Sequence, residues 1–576
     1  MRSLASVRRR QLNGRLTGRL HVFWVAAALA GGLLIGGLIA PGAAFASGSD
    51  TWTGLGTDSK WTTSGNWSSG VPQNGDSVTI APTVSQVAPS VTDVPGGTSL
   101  QDLTLTNSSL SGGAVTIKGD FTWSVSQAQN VLDVPLTAKG PATISGAGKK
   151  ITLAKMTFDG NTEVSGTGLL ETEFAGAAIT NAGRFQIDPG SSVDANACCA
   201  NPNKFMNTGL LAVPASSGGT ATLGFMGLSI GGSVIVGKGS TLDVVSGPAT
   251  FSPGAVVDNG GTLAFDQGET VKLAAGIAID KDTTVQLTGN AAFTGTGGFT
   301  GIGTFLWTGG HVEGNLDISR TVTTTISGTG TKDVFSPNGK PITVTLRGVT
   351  TVSGKGPVHL GTAANLDNAG TLFANPGTTF EAGICCAHPD RLTNSGTLIV
   401  AGGKKPVTVA LLSFTNLGTV KLASGKLVVT ALSYRQISGV TNLAGGGVSS
   451  QMPVLIKGGT LTGHGTVGAP VVNSGTVSPS TTSGVLTING SYEQTRSGTF
   501  STVLTGAKPG SKFGQLVVEG AAKLAGTIKA TTSHFTPKKG QSFQVMRYHS
   551  HTGSFTNKLG TPKYKVTYSG SVHIKY

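Results

Sequence analysis

Residues 181–213 read NAGRFQIDPGSSVDANACCANPNKFMNTGLLAV, and residues 368–400 read NAGTLFANPGTTFEAGICCAHPDRLTNSGTLIV. The second stretch follows the first at a constant offset of 187, without a gap, and 14 of the 33 positions are identical. Other positions keep their chemistry: Asp194 with Glu381, Lys204 with Arg391, Phe205 with Leu392. An internal duplication of this kind predicts a repeat architecture, in which each unit buries its apolar face on its neighbours.

The duplication extends outward from the Cys-Cys blocks. Val164-Ser165-Gly166-Thr167-Gly168 matches Val352-Ser353-Gly354-Lys355-Gly356, Ile144-Ser145-Gly146 matches Ile326-Ser327-Gly328, and Trp123 corresponds to Trp307. These offsets drift between 182 and 188, so turns have gained and lost residues while strands persist. Between the matched segments, Val, Ile and Leu alternate with Thr, Ser and Lys, as in AVTIKGDFTW and SVIVGKGSTLDVV, with the period of a half-buried strand. No window of a dozen residues carries a helical period. Charged residues are 12% of the chain, about half the usual quarter. The recurring aliphatic alternation excludes disorder as the reason. Asn-x-Gly recurs at 181–183, 207–209, 368–370, 394–396 and 473–475, and is read as corners where both residues supply positive φ. The expected fold is all-β: a right-handed parallel β-helix, or β-solenoid, with an N-terminal cap and a C-terminal β-module.

The N-terminus reads as an export signal. Six arginines, Arg2 to Arg19, precede an apolar run from Val22 to Ala40, and Ala44-Phe45-Ala46 forms a small-residue cleavage site. Left uncut, the run of 19 residues could span a bilayer. The expected organisation is a signal peptide at 1–46, a Trp-rich cap at 47–95, a solenoid at 96–455 and a basic β-module at 456–576. The solenoid holds the duplicated units at about 140–213 and 325–400.

Two segments carry a family resemblance. Trp52, Trp61, Trp67, Pro72, Asp76 and Ile80 punctuate residues 51–80, which resemble the opening of many secreted bacterial β-helix proteins. The run GTLTGHGTVGAPVVNSGTVSPSTTSGVLTING at 459–490, followed by FGQLVVEGAAKLAGTIKA and FTPKKGQSFQVMRY, resembles the C-terminal module of autotransporter-like β-solenoids. Gly514 stands where that module usually has Asp, and Ser480 where it has Gly. The resemblance implies a secreted β-solenoid and no particular activity.

Net charge is +14, but it is unevenly placed. The leader has six Arg and no acid, and residues 501–576 hold ten Lys, one Arg and the single acid Glu519. A basic tail on a near-neutral body points to an anionic polymer, or to a surface kept soluble by charge. No specific nucleic-acid contact is expected, and a membrane contact only through an uncleaved leader.

The four cysteines, Cys198, Cys199, Cys385 and Cys386, should be oxidised in an exported chain. With the copies ~40 Å apart along stacked strands, cross-pairing is ruled out unless the two halves fold back on each other, because a disulfide needs Cα atoms within ~7 Å. Each pair is therefore expected to close on itself as a vicinal disulfide. Such a ring could lock a turn or present an apolar knob to a sugar; two free thiols could instead pair between molecules. Asp194, Asn203 and Lys204 flank the first pair, and Glu381, His388, Asp390 and Arg391 flank the second, as candidate ligand-binding residues. No catalytic residue, metal site or cofactor is expected. Gly463-His464-Gly465 lacks the accompanying acids of β-helical polygalacturonases, and His549 and His551 alone make a weak metal pair. The expected function is a secreted or cell-surface, adhesin-like structural solenoid without catalytic activity. The alternatives are a polysaccharide-binding protein using the two Cys-Cys loops, and a β-helical polysaccharide lyase or hydrolase. The partners to expect are cell-wall or extracellular polysaccharide and an anionic polymer at the tail.

Overall fold

A computed structural model describes residues 48–576 except 85, 175, 197–202, 275, 384–389, 431–433 and 480–483. The expected export signal at 1–46 and all four cysteines, together with His388, lie outside the described residues. The described chain is a β-solenoid, 56% strand and 1% helix.

Each turn contributes one strand to each of three parallel sheets. In one turn, Lys204–Asn207 lies in sheet 1, Leu210–Val213 in sheet 2 and Thr220–Gly224 in sheet 3. The next turn stacks Gly227–Ile230, Ser233–Val236 and Thr241–Ser246 on them in the same order. Three long strands, Ala292–Gly301, Gln515–Leu524 and Ser542–Gly553, bend across a corner and serve both sheet 1 and sheet 2. The stacks run through residue 456 without interruption. Among the described strands only the end departs from parallel pairing: Ser571–Lys575 runs antiparallel to both Ser542–Gly553 and Lys565–Thr567.

The alternation seen in sequence is the inside–outside alternation of these strands, as in Thr499–Leu504, where every second side chain is buried. Inward residues of all three sheets form one continuous apolar core. Within it aromatic rings pack in a row, Phe158, Phe185 and Phe205 from successive turns with centroids 5.6 and 5.3 Å apart, and Phe225 across the core from Phe205 at 5.4 Å. At the N-terminal end Trp52, Trp61 and Trp67 are buried edge-to-face against one another and close the first turn. Trp123 and Trp307, the pair matched by the duplication, are both fully buried.

The Asn-x-Gly motifs work differently from the expectation. None of their asparagines or glycines has a positive φ. The asparagines point inward and form ladders: Asn368 Nδ2 donates to Asn394 Oδ1 at 2.7 Å, and Asn394 Nδ2 to Asn416 Oδ1 at 2.8 Å. Asn181 and Asn207 repeat this at 2.6 Å. The glycines are required by close approach: a Cβ on Gly396 would sit 2.1 Å from the Gly370 carbonyl oxygen, and one on Gly370 would sit 2.1 Å from that of Gly348.

The two copies do not occupy the same faces. The first Cys block is flanked by Ser192–Ala195 in sheet 3 and Lys204–Asn207 in sheet 1. The second is flanked by Thr379–Ala382 in sheet 1 and Arg391–Asn394 in sheet 2. Following the register from Asn181 to Asn368 passes eight full turns and then one further face. The duplicated unit is thus carried one corner around the axis.

Candidate functional site

The residues before each Cys block stand in equivalent outward columns, one strand per turn. In the first copy the register aligns Val131, Ile151, Glu171, Asp194 and Gly224 on sheet 3. In the second it aligns His311, Asp333, His359, Glu381 and Ala410 on sheet 1. Asp194 and Glu381, matched in sequence, each end their polar series on the last strand before the block.

The second column is a ladder of ionisable groups. His311 Nδ1 lies 3.2 Å from Asp333 Oδ2, and His359 Nδ1 lies 3.1 Å from Asp333 Oδ1. On its other edge, His359 Nε2 lies 3.3 Å from Glu381 Oε2. All four side chains are partly exposed. The hydrogen bond to the Asp333 carboxylate holds the His311 imidazole above its ordinary range. Burial works to raise Asp333, but the two histidines outweigh it and hold the carboxyl below its usual range. Phe335 packs edge-on to His311, with centroids 5.7 Å apart. Nothing in the Cys-Cys motif pointed to His311, Asp333 or His359; they are 74 to 26 residues before Cys385 in sequence, and only the 4.8 Å stacking of strands makes them neighbours.

The first column has diverged. Lys149 reaches Glu171 in an ion pair and lies 3.3 Å from Glu173. Burial raises the Glu171 and Asp194 carboxyls. Asp194 Oδ1 accepts the Ala195 backbone N–H at 2.7 Å.

The residues after each block divide into an anchor and an exposed base. Asn203 and Asp390 are equivalent and buried. Asn203 Nδ2 donates to the Thr172 carbonyl at 2.8 Å, and burial raises Asp390. These two side chains face the interior, because a polar group there can fasten the returning chain to the core. Lys204 and Arg391 are exposed at the first position of their strands. The structure therefore does not gather the six described flanking residues into one site; it sets two separate groups eight turns apart on different corners.

The remaining histidines of the sequence reading fall elsewhere. His464 is exposed at a turn. His551 stacks between Tyr548 and Tyr568, with centroids 4.8 and 5.6 Å away. Among the described residues no group of three or more His, Cys, Asp or Glu is placed to hold a metal ion.

The core holds two buried cations at equivalent places in the duplication. Lys150 Nζ donates to the carbonyls of Gly146, Gly148 and Gly168 at 3.0, 2.9 and 3.4 Å. Lys332 Nζ donates to those of Gly330 and Gly356 at 2.8 and 2.9 Å. Each ties two successive turns together at a glycine corner.

The terminal antiparallel hairpin and the 539–540 turn enclose a second candidate surface. A cavity of about 600 Å³ is lined by Lys539, Lys563, Lys565, Lys575, Tyr564 and Tyr576, with Gly540. A scan of protein-family models and a search of curated proteins both find no match to this chain.

Proposed function

We propose that the chain is a secreted or cell-surface structural protein, an adhesin-like rod without catalytic activity that meets an anionic polymer through its basic C-terminal module. The observation that supports this best is the unbroken three-sheet register, which puts one core behind both duplicated units and the C-terminal module. Such a core resists local opening, because each turn is hydrogen-bonded to the turns on both sides. The arginine-rich leader and the resemblance to secreted β-helix proteins support export. The vicinal disulfides at Cys198–Cys199 and Cys385–Cys386 belong to the same reading, as locks on the loops of an exported chain.

A polysaccharide-binding role for the two Cys-Cys loops takes a changed form. Their flanking strands lie at different corners, so one straight glycan lying on a single face cannot join them. Binding there would be two independent sites rather than a bivalent one.

The test is fractionation of cells producing the full chain, combined with a turnover assay. Recovery of a protease-resistant chain from the medium or the cell surface, with no reducing ends or unsaturated products released from acidic polysaccharides, is the expected result. A chain retained in the cytoplasm, or any turnover, overturns the proposal.

A further inference from the structure

The terminal hairpin places like charges where strand pairing makes them costly. Lys565 and Lys575 are directly opposite in the antiparallel pair, and both are exposed. Like charges at such positions destabilise a sheet. Lys563 precedes Lys565 by two residues, and Lys539 comes from the turn beside them; all four line one cavity. No acidic side chain forms an ion pair with any of the four among the described residues. The only acidic side chain in residues 501–576, that of Glu519, is not among those lining the cavity.

Two aromatic rings complete the cleft. Tyr564 and Tyr576 are half-buried, with centroids 5.8 Å apart and planes inclined by 58°. The Tyr564 hydroxyl donates toward the carbonyls of Ile528 and Leu559, which fixes its ring. Tyr576 packs edge-on to Phe543, 5.8 Å between centroids. Its hydroxyl oxygen is buried without a hydrogen-bond partner. A preformed cavity of several hundred Å³ with a few convergent polar groups is the usual form of a small-ligand site.

We infer that this cleft binds an acidic polysaccharide, with carboxylate groups on the lysines and sugar faces against Tyr564 and Tyr576. The inference rests on the proposed contact between the basic module and an anionic polymer, and it names the place and the ligand class. The inclined rings do not form the parallel platform on which successive bases stack. Sugar rings ask less of the platform, since they meet an aromatic face through C–H groups.

The experiment is calorimetric titration of the full chain with an oligogalacturonate, its fully methyl-esterified form, and single-stranded DNA of equal charge. The oligogalacturonate should bind. The ester should not, and DNA should bind at least tenfold more weakly. The double variant Lys565→Gln/Lys575→Gln should lose at least tenfold in affinity, yet melt no lower than the native chain, because the substitution removes a cross-strand repulsion. Should that variant fail to fold, Lys539→Gln in the turn serves instead, with a loss of at least threefold expected. Tyr576→Leu should abolish the binding that survives at high salt. Failure of the oligogalacturonate to bind, equal binding of DNA, or unchanged affinity in the lysine variants overturns the inference. A chain that reaches the surface but ignores oligogalacturonate sinks this inference alone, whereas cytoplasmic retention sinks the proposed function.

Discussion

At the scale of single residues, the buried lysines show how the corners are tied. Lys150 is fully buried, and burial pushes its ammonium down to about 8; Lys332 is lowered by the same cause. Among the described residues, the Gly146, Gly148 and Gly168 carbonyls compensate the Lys150 ammonium. Replacing Lys150 with Met leaves those acceptors short of a donor, and should cost about 1–3 kcal/mol at neutral pH in denaturant unfolding. The pH dependence has a definite sign. Between about 8 and the ordinary lysine value of 10.5, the unfolded chain holds the proton and the folded chain has released it. Stability contributed by this group therefore rises with pH across that window and is lowest below it. Relative to Lys150→Met, the native chain should gain melting temperature as pH rises from 8 toward 10.5. A flat difference between the two proteins would mean that the group titrates normally.

At the scale of elements, the sheet faces and the glycine columns make separate demands. Gly396 has no left-handed backbone angle, so conformational freedom does not explain it. The clash does: an added Cβ would lie 2.1 Å from the Gly370 carbonyl oxygen, which is held in the rung below. Gly396→Ala should destabilise by about 1–3 kcal/mol through forced backbone shifts. Protease cleavage should appear first near that rung, and a variant as resistant as the native chain would contradict the crowding. The ladder on sheet 1 predicts a titration. Because Asp333 raises the His311 pKa, the stability from this contact is fully present below the unfolded histidine value of 6.5. It is lost as pH rises through the folded value. Asp333→Asn should bring the His311 midpoint back toward 6.5 in an NMR titration, since the hydrogen-bonded carboxylate is the first cause of the shift. An unmoved midpoint would point to Glu313 instead, whose charge acts in the same direction.

At the scale of the whole molecule, the duplication and the register together set distances. Lys204 and Arg391 begin strands eight turns and one face apart, both exposed. At ~4.8 Å per turn, this places them about 40 Å apart along the axis. Spin labels at these two positions should give a single narrow distance near that value, because the intervening turns share one core. A broad distribution would mean that the stack opens between the copies. The rotation of the second copy by one face follows from the count of strands: 187 residues wind into eight turns and a third. A unit displaced in this way keeps its inward pattern, because all three faces look onto the same core. Its outward residues are moved to a new side of the rod.

The sequence by itself determined the solenoid, the burial of the cap tryptophans and the equivalence of the two units. Those properties depend on local alternation and on repeats, which are written along the chain. Tertiary structure alone decided which outward residues meet. His311, Asp333, His359 and Glu381 are 22 to 26 residues apart in succession, and their contact depends on the length of every intervening turn. It also decided that the Asn-x-Gly asparagines point inward and that their glycines answer to the rung below. A corner residue's role is fixed by the backbone stacked against it, and that neighbour is a full turn away in sequence. The basic tail was legible as composition, but the pairing of Lys565 with Lys575 across one cleft needed the antiparallel return of the last strand. Where the chain reverses direction, the parallel repeat no longer predicts which residue lies opposite which.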